Sequence, residues 1–307
     1  PDREQDWRDE QDSLLGPKMA AQECDCDFIS SGHTVVEGAL LQWFKETYQQ
    51  EPQERRGLGG DYWLWEYPDY AKNYMVVADV ARGDGGDYST FHVIDVETVT
   101  QVAEYKGQVS TKDFGNMLVN AATEWNNALL VIENANVGWA AIQVAIDREY
   151  TNLYYTYKHE GVTDYDIAMD KGYDLKDKSQ MVPGFTTSSR TRPLLISKLD
   201  IYFREKDCVV RSKRLLDEMF VFIWNGSKAE AQQGYNDDLV MAFAIALFVR
   251  DTALKLRQHG LDLNRAALSS MGNAKTKSVY TTQNNHVPGV WDVEMGGHNE
   301  DLTWLLK

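Results

Sequence analysis

Tyr74-Met75-Val76-Val77-Ala78-Asp79-Val80-Ala81 is a continuous apolar run broken by a single aspartate. A strand with one wet face alternates apolar and polar residues, so an unbroken run reads as a strand buried on both faces, as in the centre of an α/β sheet. The carboxylate inside the run is the anomaly. Charged and unpaired in such a place it is costly, and it calls for a partner or a metal ion.

Downstream the pattern builds a sheet around this strand. Gly83-Asp84-Gly85-Gly86 is a turn of residues that tolerate positive φ. Residues 90–96 and 100–105 follow as two further strands, and the three form an antiparallel meander. Ser110 or Thr111 can cap a helix reaching about Asn126, with Phe114, Leu118, Ala121, Ala122 and Trp125 on one stripe. Residues 128–133 make a fourth strand that ends in Glu133, residues 138–150 a helix and residues 153–157 a fifth strand. The expected fold is α/β: a mixed sheet, antiparallel meander plus parallel strands, flanked by helices on both faces.

Away from this centre the signals are plainer. Residues 1–35 are polar and acidic, 34–49 read as a short helix, and 55–60 as a loop. Residues 159–185 are irregular and charged, and 193–206 form a helix with Pro193 in its first turn. The 215–224 segment fits either a helix end or a strand. Asn236-Asp237-Asp238 then caps a strongly apolar helix over 239–250. From about Gly260 the chain turns loop-like, and 276–307 are expected to be a flexible tail.

A chain of 307 residues that is 43% hydrophobic can bury a full core. No run approaches 18 uninterrupted apolar residues, which argues against a membrane span, and the start, Pro1-Asp2-Arg3-Glu4-Gln5-Asp6, does not resemble a signal peptide. It has no starting Met, so the chain is expected to be part of something longer. Cys24, Cys26 and Cys208 are too few and too poorly spaced for a zinc site and read as reduced cysteines of a cytosolic protein. The net charge of −16 weighs against a general DNA-binding surface. Its distribution softens this. Residues 1–70 carry 16 acids and 6 bases, a balance of −10 that leaves −6 for residues 71–307. The 186–214 stretch has eight bases against three acids, which reads as a solvated helix face or, beside an acidic metal site, as a phosphate-drawing patch.

Asp79, Glu133, Asp237 and Asp238 form the candidate constellation. Each has an ordinary explanation alone: a backbone-satisfied aspartate, a strand-end acid, two helix caps. Together they fall where strand ends and helix N-termini share a rim in an open sheet. Carboxylates gathered there repel by about 4 kcal/mol per close pair at an effective dielectric near 20. Only Arg82 is a nearby base in sequence. Divalent cations with a preference for hard oxygen ligands, magnesium or manganese, would resolve the repulsion.

Three ordered motifs resemble those of the large terminase subunits of tailed bacteriophages, particularly contractile-tailed ones. They are Val76-Val77-Ala78-Asp79-Val80-Ala81-Arg82-Gly83 with Asp87-Tyr88-Ser89-Thr90, then Val131-Ile132-Glu133-Asn134, then Asn236-Asp237-Asp238-Leu239-Val240-Met241-Ala242. The segment Gln22 to Phe28 with Ser30-Ser31-Gly32 is similar to the stretch that joins ATPase and nuclease domains in that family. The resemblance runs from about 20 to 250. It implies a ribonuclease H-like nuclease cutting double-stranded concatemeric DNA during packaging, with little sequence preference. Asp79, Glu133 and Asp237 would ligate two Mg2+ or Mn2+ ions, Asp238 would be an adjacent ligand or support, and Asp87 a supporting acid. Arg190, Arg192 and Lys198 are the candidate DNA-binding residues. Double-stranded DNA, the small terminase subunit, the procapsid portal and an N-terminal ATPase domain of the same polypeptide would be its partners, in the host cell cytoplasm.

This sequence has no Gly-x-x-x-x-Gly-Lys-Ser/Thr loop. Residues 1–70 are therefore read as a linker after a missing ATPase domain, 71–260 as the nuclease domain and 261–307 as a C-terminal extension. Three rival readings compete with this one: an actin-like ATPase, a non-catalytic DNA clamp or assembly module, and a resolvase- or transposase-type nuclease of the same fold. The first lacks a second credible phosphate loop, because Asp170-Lys171-Gly172 lies in a polar stretch.

Overall fold

The computed structural model describes residues 34–57, 59–83, 85–135, 137–157 and 181–251, the isolated residues Trp7 and Ser13, and the backbone of two short strands near the C-terminus. Contacts divide the chain into two units, Pro1–Lys255 and Leu256–Lys307. In the second, Asp292–Met295 and His298–Asp301 pair antiparallel. Of the 159–185 stretch read as irregular, residues 159–180 lie outside the described residues, as do 252–291.

The first unit is built on a six-stranded sheet of order β1-β2-β5-β4-β3-β6. Its strands are β1 (Glu54–Arg56), β2 (Tyr62–Leu64), β3 (Tyr74–Asp79), β4 (Ser89–Asp95), β5 (Thr100–Gly107) and β6 (Leu129–Ile132). β3, β4 and β5 form the expected antiparallel meander, and β6 joins β3 in parallel after a helical crossover. The helices are α1 (Gly38–Tyr48), α2 (Thr111–Glu124), α3 (Gly138–Asp147), α4 (Thr191–Glu205), α5 (Lys213–Phe220) and α6, described over 238–251. The ambiguous 215–224 segment divides: α5 ends at Phe220 and β9 (Phe222–Asn225) begins, paired with β10 (Lys228–Ala231). β7 (Tyr155–Tyr157) and β8 (Met181–Pro183) make a second short pair.

The unbroken apolar reading of β3 has a direct structural counterpart. Tyr74, Val76 and Ala78 enter one core, with Phe114, Leu118 and Ala122 of α2 and Ala141, Ile142 and Ala145 of α3. Met75 and Val77 enter the other, with residues of α1, α4, α5 and α6. Both faces of the sheet are thus covered. Every residue from Leu239 to Val249 is buried, so α6 is apolar all round and runs through the interior.

Within the 1–70 stretch, the described residues from 34 onward contribute to this unit. β2 hydrogen-bonds to β5, and Leu41 and Phe44 of α1 are fully buried. The helix read over 34–49 is α1, whereas the three-residue strands β1 and β2 carry too little periodicity to stand out beside acidic neighbours.

Candidate active site

Strand register brings the first two acids together. Val77 pairs with Val131 and Ala78 with Ile132 in the parallel ladder, so the next residues, Asp79 and Glu133, stand abreast on adjacent strands. Side chains alternate across a sheet, which puts Asp79 on the face of Met75 and Val77, and Glu133 on the face of Val131. This is the face that α6 covers. Asp79 is the last residue of β3 rather than its middle, so it opens onto a cleft at the strand end. That placement, not burial within the strand, is how the fold accommodates it.

The cleft encloses about 500 Å3 and is lined by Asp79, Arg82, Gly83, Asp87, Glu133 and Val137, among others. Its two walls are fastened to the strand ends. On one side Ser89 Oγ accepts from Ala81 N at 3.1 Å, closing the loop between β3 and β4. On the other, Asn134 donates to Thr186 Oγ1 at 2.9 Å and to Pro183 O at 3.2 Å. Gly138 opens α3 directly against Glu133. A Cβ at 138 would lie 1.8 Å from the Glu133 carbonyl oxygen, so only glycine lets the helix approach this strand end.

The third acidic pair arrives with α6. Its start is pinned to β4: Thr90 Oγ1 donates to Asp238 O at 3.1 Å, and Tyr88 N to Asp238 Oδ2 at 3.0 Å. Asn236 Nδ2 donates to Asp238 Oδ2 at 3.2 Å and to Gly86 O at 2.8 Å. None of these side chains caps α6, contrary to the sequence expectation. The amides of Leu239 and Val240 go instead to Glu218 Oε2, at 2.9 and 3.4 Å. Sequence reasoning missed Glu218 because nothing in residues 213–220 distinguishes it from a surface acid of an amphipathic helix.

Burial, then the charge of Glu133 and a hydrogen bond with it, then the charges of Asp238 and Asp237, hold the Asp79 carboxyl well above the usual carboxylate range. Some of Asp79's surface is open to the cleft, but its carboxyl is deeply enclosed. Asp238 is also raised, chiefly by burial and further by Asp237 and Asp87, while the Tyr88 amide and Asn236 oppose the shift. Asp87 is exposed at the cleft mouth. The acids therefore act on one another as a single electrostatic cluster.

Most bases of the basic stretch are engaged in ion pairs. Arg192 Nη2 bonds Asp237 Oδ2 at 2.9 Å and Ala229 O at 3.1 Å, so it is a counter-charge within the acidic cluster. The sequence offers no signal for this, since the pair is 45 residues apart. Lys198 pairs with Asp251 at 2.5 Å, near the far end of the described part of α6. Arg204, Arg211 and Arg214 pair with Asp200, Glu66 and Glu104. Arg190 is exposed immediately before α4.

Among the described residues no three His, Cys, Asp or Glu side chains are close enough together to surround a metal ion. Asp79 and Glu133 nevertheless fit one. Magnesium binds through one or two carboxylates and keeps several waters, and these two hard-oxygen donors share a hydrogen bond in an open cleft.

A meander of three antiparallel strands, a parallel fourth, helices on both faces and acids at the shared strand ends define the ribonuclease H-like fold. Among solved structures the chain is similar to the large terminase nuclease from thermophilic phage G20c, in crystals with bound cobalt and with bound magnesium. Each match has a TM-score of 0.51 and 19% identity and covers 70% of this chain and 97% of that one. The large terminase nuclease domain of Thermus phage P74-26 aligns at 21% identity and a TM-score of 0.47, over 67% of this chain and 93% of that one. At these identities the likeness is one of fold. No family model matches the chain.

Proposed function

We propose that this chain is the nuclease part of a bacteriophage large terminase, a metal-dependent endonuclease that cuts double-stranded DNA during genome packaging. The observation that carries the reading is the parallel register that sets Asp79 beside Glu133 in a cleft at the strand ends. The shared fold with terminase nucleases supports it.

Asp79 and Glu133 would hold one Mg2+ or Mn2+, and Asp79 with Asp237 or Asp238 a second. Bound divalent cations supply positive charge at the scissile phosphate and acidify the attacking water. The protein's own groups prepare for this. Asp79, with its raised affinity for a proton, gives that proton up before it can act as a ligand. The Tyr88 amide and Asn236 orient Asp238, and Arg192 balances Asp237. Arg190, exposed before α4, draws the duplex backbone without reading bases. The ATPase domain, small terminase subunit and portal belong to the same proposal as partners, with the host cytoplasm as the setting. No described helix is long and apolar enough to cross a membrane.

Purified protein is expected to convert supercoiled plasmid to nicked and linear forms with magnesium or manganese, and to be silent in chelator. Asp79→Asn should abolish cutting while circular dichroism stays that of the wild type. Wild-type rates in Asp79→Asn would overturn the assignment.

A further inference from the structure

A helix that is buried along its length cannot leave its first amides to water. α6 is such a helix, buried from Leu239 to Val249. Asp237 stands at its N-cap position, where an aspartate normally takes the amides two and three residues on. Here those amides, Leu239 and Val240, are taken by Glu218 of α5. Glu218 is 7% exposed, and its other oxygen holds Lys106 Nζ at 2.5 Å. Lys106 in turn lies 4.7 Å from the centre of the Tyr88 ring, and the Tyr88 amide orients Asp238.

We propose that Glu218 is a positioning residue of the acidic site: by capping α6 from another helix it frees Asp237 to join Asp238, Asp79 and Glu133. This inference rests on the proposed nuclease reading. Without the cap from α5, the aspartate at the helix start turns back onto its own amides and leaves the cluster. Lys106 balances the buried charge of Glu218 and steadies the Tyr88 side of the same support.

The test is the paired change Lys106→Met/Glu218→Met, which replaces a buried ion pair with apolar side chains of similar length and so tends to preserve folding. Manganese binding is measured by titration calorimetry, with melting curves in chelator alongside. The paired variant is expected to bind Mn2+ about tenfold more weakly, the factor that a capping interaction of ~1.4 kcal/mol corresponds to. Adding Asp237→Asn to the paired variant should then cost less affinity than the same change costs the wild type. Glu218→Gln, which keeps an acceptor for the Leu239 amide, should restore most of the affinity. Should the paired variant fail to fold, Glu218→Asp, which keeps the charge but withdraws the acceptor, is expected to show the same tenfold loss. Unchanged Mn2+ affinity in the folded uncapped variant, beside a wild type that binds, overturns the positioning role alone. A wild type that binds no Mn2+ at millimolar concentration overturns the metal reading and this inference with it.

Discussion

Replacing Glu133 with Gln should stabilise the metal-free protein, an unusual direction for a change at a functional site. Asp79 and Glu133 stand abreast in a parallel ladder and share a hydrogen bond. Two full charges about 4 Å apart repel by ~4 kcal/mol at an effective dielectric near 20. A proton held between them removes part of this, which leaves a gain of roughly 1–3 kcal/mol for the Gln variant. In the wild type the protonated Asp79 donates to Glu133; the Gln amide can instead donate to an ionised Asp79, so a hydrogen bond remains while one charge goes. At about 2–4 °C per kcal/mol for a unit of this size, the melting temperature in chelator should rise by roughly 2–12 °C. The pH dependence follows from Asp79, whose folded-state proton affinity is raised. A raised acid contributes stability at low pH, and that contribution is lost as pH climbs from the ordinary carboxylate value through the folded one. The advantage of Glu133→Gln should therefore widen with rising pH. Manganese at about 100 times its dissociation constant adds ~2.7 kcal/mol to the wild type and distinctly less to the variant. Differential scanning fluorimetry across pH, with and without manganese, reads all of this. A variant no more stable than wild type in chelator at pH 8 would refute the clustering of the two charges.

Three further expectations follow. Arg192→Ala removes the counter-charge of Asp237, a pair whose side chains are 29% and 28% exposed, and should cost about 1–2 kcal/mol in chelator, between the values for surface and buried pairs. Manganese should recover more of that loss than it adds to wild type; an equal increment in both proteins would separate Arg192 from the metal cluster. Gly138→Ala forces a Cβ into the Glu133 carbonyl and should cost about 1–3 kcal/mol and weaken manganese binding, as calorimetry and melting would show. Arg190→Ala should weaken DNA binding in calcium alike for all sequences and lower the salt slope by about one counterion per lost contact, with an unchanged melting temperature; binding identical to wild type at every salt concentration would assign Arg190 to a solvated face.

The fold was legible wherever burial writes a period into the sequence. β3 shows both cores at once, because Tyr74, Val76 and Ala78 face one and Met75 and Val77 the other. The stripe of α2 was readable for the same reason, down to its Ser110 cap, which accepts from the Asp113 amide. β1 and β2 were not, since three-residue strands hold no period, and the pairing of β2 with β5, to which β1 is added through β2, is decided some forty residues away. The candidate acids were legible as conflicts: a carboxylate in an apolar run needs a reason that the strand itself cannot give. Their partners were not, because an ion pair such as Arg192–Asp237 leaves no local pattern in either segment.

The capping of α6 shows the same limit from the other side. Asn236-Asp237-Asp238 before an apolar run is a strong local signal for a helix start, and the helix does start there. The signal located the element and misassigned the side chains. A solvent-exposed helix with that sequence would draw Asp237 onto its own amides, because the competing partner is only water. In this chain α5 packs alongside and brings Glu218 to those amides, together with Lys106 to balance its charge. Local propensity then fixes where the helix begins, while tertiary packing decides which carboxylate satisfies it. Asp237, released from the cap, and Asp238 beside it lie within electrostatic reach of Asp79, and their charges add to the repulsion that a cation would relieve. A support residue of this kind is found by asking, for each buried helix, what holds its first amides when the expected side chain does not.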